Sequence, residues 1–256
     1  MNLLEVLILG LVEGITEFLP ISSTGHLILT AHLMGLRPTD FLKSFEISIQ
    51  LGAVLSVVVL YGKKFWVDEK ILKRILIAFL PTAILGLMFY KVVKKFLLGN
   101  PAIVVASLFW GGILLVLFEM FHKEKKEALE DMRKISYSKA FLIGIFQSLA
   151  FVPGVSRAAA TILGGLILGF KRTTIVEFSF LLAVPTMLAS TTWDLTKSAQ
   201  GFSYDQIGCL LLGFLVSFLV AIVSIKFLLH FIKSHTFIWF GWYRILAAML
   251  FKFIVS

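Results

Sequence analysis

The 256-residue chain has one cysteine, Cys209, set inside an apolar stretch. A lone thiol excludes an intrachain disulfide and any metal site built on paired cysteines. Charge is also scarce. Only 15% of residues are Asp, Glu, Lys or Arg, whereas 59% are hydrophobic and the mean hydropathy is +0.95. A water-soluble domain of this length could not hide so much apolar surface, so the chain belongs in lipid. Acidic side chains are fewest, 15 against 24 basic ones, for a formal charge of +9. In a membrane chain that excess marks loops on the cytoplasmic side. With no soluble basic domain to carry it, nucleic acid is excluded as a partner. A basic leader is missing too. Glu5, Glu13 and Glu17 interrupt the first apolar run, so this segment is expected to stay as structure rather than to be a cleaved signal.

What is present is a series of apolar runs. Six stretches, about 41–61, 72–90, 101–121, 173–195, 206–228 and 237–254, approach the ~20 residues needed to cross hydrocarbon. Two more, 2–35 and 140–170, are apolar but broken midway by Pro, Gly and hydroxyl residues. Each break leaves two halves too short to span, and its freed backbone groups need protein or water as partners. Both read as re-entrant helical hairpins.

The two halves of the chain resemble each other. Ser23 matches Ser156, Glu46 with Ser48 matches Glu177 with Ser179, and Phe109-Trp110-Gly111 matches Trp239-Phe240-Gly241, in order and at nearly constant separation. Ordered matches of this kind argue for duplication. The expected fold is therefore an all-α integral membrane protein, a single membrane domain with repeat one at about 1–121, a linker at about 122–139 and repeat two at about 140–256. Each repeat holds one hairpin and three transmembrane helices. Three is odd, so the second copy is inverted relative to the first. The joints on one side carry fifteen Lys and Arg against seven on the other, which makes the richer side cytoplasmic and puts both termini outside. The hairpins then enter from opposite faces, with tips able to meet in the interior.

The breaks hold the chemistry. Glu13 and Glu17 lie four apart on one helix face, where two carboxylates repel unless a cation such as Mg²⁺ or Ca²⁺ lies between them. Each charge left at membrane depth costs about 2.5–3.5 kcal/mol on insertion scales, which argues for a functional role. Ser22, Ser23 and Thr24 follow Pro20 and precede an apolar run, so one of them is expected to cap a helix at 25–35. A helix start in a membrane interior is a place for an anion, and Ser156 offers the same in the second break. Arg157 has no acidic residue within a turn of its own segment, and its fork suits phosphate oxygens. Thr161 either adds a hydroxyl to that grip or bonds back to its own helix. His26, three residues after Ser23, is a candidate general acid or base. Glu46 and Glu177 occupy equivalent places in the repeats and are expected to support the site from behind, or to pair with Arg157 or Arg244. The pattern specifies oxyanion chemistry within the membrane. A transporter or flippase for an anion or phosphorylated lipid uses the same devices, whereas a scaffold leaves the buried charges unexplained.

Several runs together carry a family resemblance. Glu13-x-x-x-Glu17, Pro20-x-Ser22-Ser23-Thr24-Gly25-His26, Pro153-Gly154-x-Ser156-Arg157 with Thr161, and the stretch from Glu177 to Pro185 make the chain resemble the undecaprenyl-diphosphate phosphatase family, also called bacitracin-resistance proteins, over essentially its whole length. One departure is that Ala158 and Ala159 stand where the family commonly has Ser then Gly, which removes a hydroxyl from the second loop. The resemblance implies a multi-pass enzyme of the cell membrane, with a site facing the outer side. It would remove the terminal phosphate of a C55-isoprenyl diphosphate and recycle the carrier for peptidoglycan synthesis. Divalent-cation dependence and bacitracin resistance are implied as well. The expected partners are the lipid substrate and the bilayer, with a homodimer left open. The expected site has Ser23, His26, Glu17 and Arg157 as catalytic groups and Glu13 with Glu17 on the cation. Ser22, Thr24, Gly25, Gly154, Ser156, Arg157 and Thr161 would contact phosphate. Ser23 is the expected nucleophile with His26 assisting; direct attack by His26, or water activated by it, are the alternatives. If Arg157 clamps phosphate through its fork, Arg157→Lys lowers phosphate release by on the order of a hundredfold; near-normal rates in that variant would rule the clamp out.

Overall fold

The computed structural model describes residues 1–37, 39–92, 100–197 and 204–255. They form ten α-helices: α1 Leu3–Thr16, α2 Ser23–Leu33, α3 Asp40–Val67, α4 Glu69–Val92, α5 Pro101–Phe121, α6 Tyr137–Ser148, α7 Arg157–Ile167, α8 Arg172–Lys197, α9 Tyr204–Phe231 and α10 Ile238–Val255. Polar residues start them where the sequence turns apolar. The Asn2 side chain accepts from the Glu5 N–H while the Glu5 carboxylate accepts from the Asn2 N–H, a reciprocal cap on α1. Thr39 caps α3, Asn100 caps α5 ahead of Pro101, and Ser136 caps α6.

Five helical segments are long and apolar enough to cross a membrane: Asp40–Gly62, Glu69–Phe89, Pro101–Phe121, Arg172–Trp193 and Gln206–Phe231. The sixth stretch expected to span is also helical, as α10, but stands outside these five and carries Arg244 near its middle. Large side chains such as Trp110, Phe121, Leu219 and Phe253 lie exposed on the outside of the bundle. Surface of this kind is stable against lipid tails rather than water. Lys94 and Lys95, two of the residues that orient the chain by charge, fall outside the described residues.

The helices interleave across the two halves. α1 packs on α9 and α6 packs on α4, so the first arm of each broken pair lies against a long helix of the other half. In the same exchanged sense α3 packs on α9 and α8 on α4, while α5 lies along α10. Small residues allow these approaches. A β-carbon on Gly144 of α6 would come within 2.0 Å of the Ala78 carbonyl oxygen of α4, and one on Gly52 of α3 within 2.3 Å of the Phe214 carbonyl oxygen of α9. Pro81 and Pro185 stand inside α4 and α8, where each removes one backbone N–H from the helix. Beside them the buried Gln147 amide donates to Thr82 and Thr186, joining α6 to both helices.

The linker between the halves is strapped to the ends of the bundle. Arg133 pairs with Asp68, Lys171 with Glu130 at 2.6 Å, and Arg74 donates to the Ile135 carbonyl at 2.6 Å. The Arg133 guanidinium hydrogen-bonded to Asp68 holds that carboxyl below its ordinary range. Arg172 meets the fully buried Glu119 through two bonds of 2.7 and 2.8 Å, and the Phe237 N–H donates to the same carboxylate. One end of α5, α8 and α10 is thereby tied together.

Candidate active site

Two helix–break–helix units face each other inside the bundle. In the first, α1 stops at Thr16, whose hydroxyl bonds back to the Val12 carbonyl at 2.7 Å, and Glu17 closes the last turn. The chain then turns through Pro20 and Ile21 to Ser22, a non-glycine residue at φ +73°. The Ser22 hydroxyl accepts from the Gly25 N–H at 3.3 Å and caps α2. The second break repeats this device. Ser156 stands at φ +75°, and its hydroxyl accepts from the Ala159 N–H at 3.2 Å to cap α7. A left-handed backbone at a residue with a β-carbon is strained, and its presence at both tips marks them as constrained for a reason.

This geometry shifts the expected alignment by one residue. Ser156 is the counterpart of Ser22, not of Ser23, because both are caps with the same backbone conformation. Ser23 and Arg157 are then equivalent, each the first residue of its helix. Capping leaves the Ser22 and Ser156 hydroxyls committed to their own helices. The Ser23 hydroxyl stays available for something else.

That something is Glu17. The Ser23 hydroxyl donates to Glu17 Oε2 at 2.5 Å, and the Arg157 guanidinium donates to Glu17 Oε1 at 3.1 Å. A second Arg157 N–H donates to the Ser179 carbonyl on α8 at 3.0 Å. All three side chains are buried or nearly so. The first break and the second thus meet through one carboxylate. Two of the five N–H donors of Arg157 are used in these bonds, and the others have no protein partner among the described residues.

Glu13 lies one turn back from Glu17. It is fully buried, both its carboxylate oxygens lack a hydrogen-bond partner, and it stands within electrostatic reach of Glu17, Glu46 and Arg157. A carboxylate in that position is costly without a counter-charge. The orphaned oxygens fit a hard cation. Among the described residues no three His, Cys, Asp or Glu side chains are grouped to bind an ion unaided. A cation here would therefore complete its shell with water and substrate oxygens, as Mg²⁺ commonly does.

Other expected members are placed differently. His26 is not hydrogen-bonded to Ser23: its Nδ1 lies 2.7 Å from the Ser22 carbonyl oxygen and its Nε2 2.8 Å from the Tyr243 hydroxyl. The hydroxyl of Ser23 is served by Glu17 instead. Thr161 is fully buried and bonds the Arg157 and Ala158 carbonyls and the Ser179 hydroxyl, so it braces α7 against α8 rather than facing a ligand. Thr24 is exposed, while Gly25 gives its N–H to the cap. Gly154 stands at φ +94°, and a β-carbon there would come within 2.7 Å of the Val104 carbonyl oxygen, so a bare backbone is required. Glu46 lies toward Glu13, and Glu177 lines a cleft of about 820 Å³ beside Asp68 and Arg133. Neither pairs with Arg157, whose carboxylate partner is Glu17, or with Arg244.

Arg244 is the residue that sequence reasoning undervalued. It is 1% exposed and gives all five donors to main-chain carbonyls: Leu108 at 3.4 Å, Pro20 at 3.2 Å, Val155 at 2.9 Å, Ser107 at 3.0 Å and Gly154 at 2.8 Å. Pro20 belongs to the first break, Gly154 and Val155 to the second. The signal was available, since Arg244 is a charge inside an apolar stretch, just as Arg157 is.

The fold is that of an all-helical membrane protein, with a buried centre where two interrupted helical units meet. More particularly, residues 6–250 match the family described as Bacitracin resistance protein BacA. The chain is 52% identical over 247 residues to the undecaprenyl-diphosphatase of Aquifex aeolicus, covering 96% of each chain. It is 54% identical over 251 residues to that of a Sulfurihydrogenibium species, with 98% of each covered, and 48% identical over 255 residues to that of Persephonella marina, with all of each covered. The chain belongs to this family.

Replacing Arg244 by lysine reduces five donors to three, and each carbonyl left unpaired costs about 1–3 kcal/mol. Arg244→Lys is therefore expected to lower thermal stability in detergent by several degrees and to weaken activity. An unchanged melting temperature would show that the five bonds do not hold the breaks.

Proposed function

We propose that the chain is an undecaprenyl-diphosphatase that removes the terminal phosphate of a C55-isoprenyl diphosphate at a site facing the outer side of the cell membrane. The observation that carries the reading is the buried chain Arg157–Glu17–Ser23, which joins an anion-binding fork to a base and a hydroxyl at two opposed helix starts. In this reading the units 2–35 and 140–170 are re-entrant hairpins of an inverted repeat. The exchanged packing of α1 on α9 and α6 on α4, and the paired caps Ser22 and Ser156, support that symmetry. The lipid tail stays among the apolar helix faces while the diphosphate enters the polar centre.

Ser23 attacks the terminal phosphorus as its proton passes to Glu17 Oε2, and the bond from that phosphorus to the bridging oxygen breaks. The lipid monophosphate leaves with that oxygen, and a phosphoserine remains for water to cleave. Arg157 turns its unused donors to the phosphoryl oxygens, and the helix-start amides of α2 and α7 stabilise the charge that gathers there. Glu13 and Glu17 would hold a Mg²⁺ or Ca²⁺ ion, which when bound neutralises charge on the diphosphate. His26, set beside rather than on the nucleophile, serves the water of the second step.

Detergent-solubilised protein is expected to release phosphate from C55 and C15 isoprenyl diphosphates, to stop when chelated, and to recover on adding Mg²⁺ or Ca²⁺. Glu13→Gln should weaken cation binding at least tenfold, read also as loss of cation-induced thermal stabilisation. No phosphate release with cation present would sink the hydrolase reading. Rapid quenching with labelled substrate should trap phosphate on Ser23. A label on His26, or none in a single turnover, removes Ser23 from the role of nucleophile.

A further inference from the structure

We propose that Tyr243 is a positioning residue for His26, holding the basic nitrogen of the imidazole ready for proton transfer; the role rests on the hydrolase reading above. The Ser22 carbonyl oxygen can only accept a hydrogen bond, so the His26 Nδ1 that lies 2.7 Å from it carries hydrogen. In the neutral ring Nε2 is then the acceptor, and the Tyr243 hydroxyl 2.8 Å away donates to it. The two rings lie nearly parallel, 9° apart with centroids 5.6 Å from each other, and Phe251 meets the imidazole edge-on. His26 is thus held by its own helix cap on one side and by α10 on the other.

The position of Tyr243 on α10 makes this arrangement specific. It is 44% exposed and shares the outward stripe of Trp239, Trp242, Leu246 and Leu250, yet its hydroxyl is on the histidine. Its chain neighbour Arg244 bonds the carbonyls of both breaks, which sets where α10 stands relative to α2. The same phenol can donate to the neutral imidazole and accept from the protonated one. It therefore keeps the ring in one orientation through a full cycle of proton uptake and release. The single lone pair of Nε2 points at the phenol, so a proton enters or leaves the ring through the Tyr243 hydroxyl, which hands one hydrogen to Nε2 as it takes another from the water beyond it.

Tyr243→Phe keeps the ring and removes the hydroxyl. Phosphate release from C15 isoprenyl diphosphate should show kcat lowered about tenfold, the upper end of what one hydrogen bond contributes, with KM within about twofold. The same change made in a His26→Ala background should cause no further loss. In nitrogen NMR of the purified protein, the His26 Nε2 resonance should move toward that of an unbonded imine nitrogen in Tyr243→Phe, a readout that needs no turnover. An unchanged kcat, an equal loss without His26, or an unmoved resonance would overturn the assignment. Wild-type protein that releases no phosphate defeats the hydrolase reading itself, while the resonance still reads the Tyr243–His26 bond.

Discussion

A guanidinium surrounded by carbonyl oxygens holds this molecule together at its centre. The breaks at Pro20 and at Gly154–Val155 interrupt helices and leave carbonyls with no partner of their own, in a bundle where water is scarce. Arg244 needs acceptors for five donors, and those carbonyls need donors. Each side of the arrangement would be costly alone, because a buried cation and an unpaired carbonyl both lose hydration. Together they bring the two breaks to one point and tie them to α5 through Ser107 and Leu108. Glycines permit the contact, since a β-carbon on Gly111 would come within 2.1 Å of the Arg244 guanidinium.

With the breaks held in place, the charged groups fall into a short circuit. Glu17 stands between Ser23 and Arg157 and accepts from both, so one carboxylate links a hydroxyl in the first half to a cation in the second. Glu13 adds a second buried carboxyl group whose oxygens have no hydrogen-bond partner. One arginine cannot balance two buried carboxylates and also bind a diphosphate, which is why a divalent cation belongs to the proposed chemistry. The helix starts of α2 and α7 add fixed dipoles that point toward the same region.

Much of this could be read from residue order. Pro, Gly and hydroxyl residues inside apolar runs located both breaks to within a residue or two, and the carboxylate pair, Ser23 and Arg157 stood out as charges or hydroxyls where lipid should exclude them. Partners were harder to read, because partner choice depends on distance across the fold. His26 looked like the helper of Ser23 because it lies one turn away, but the turn points it at Tyr243, which is 217 residues distant. Thr161 left two readings open, and the bond back to its own helix is the one formed, with the Ser179 hydroxyl of α8 added to it. Glu177 matches Glu46 in residue order, but that it lines a cleft with Asp68 and Arg133 could only be seen in the fold.

The sequence by itself determined that the chain lives in lipid, that it carries two interrupted helical units, and which side chains are too costly to bury without purpose. Those are local matters of hydropathy, chain length and backbone chemistry, and they do not depend on neighbours far along the chain. Only the tertiary structure decided that the Ser22 hydroxyl caps α2, that the Ser23 hydroxyl bonds Glu17 rather than His26, and that Arg244 closes the two breaks together. The first two outcomes turn on backbone angles at a tight turn and the last on contacts between residues far apart along the chain, and hydrogen-bond direction is not written in residue order.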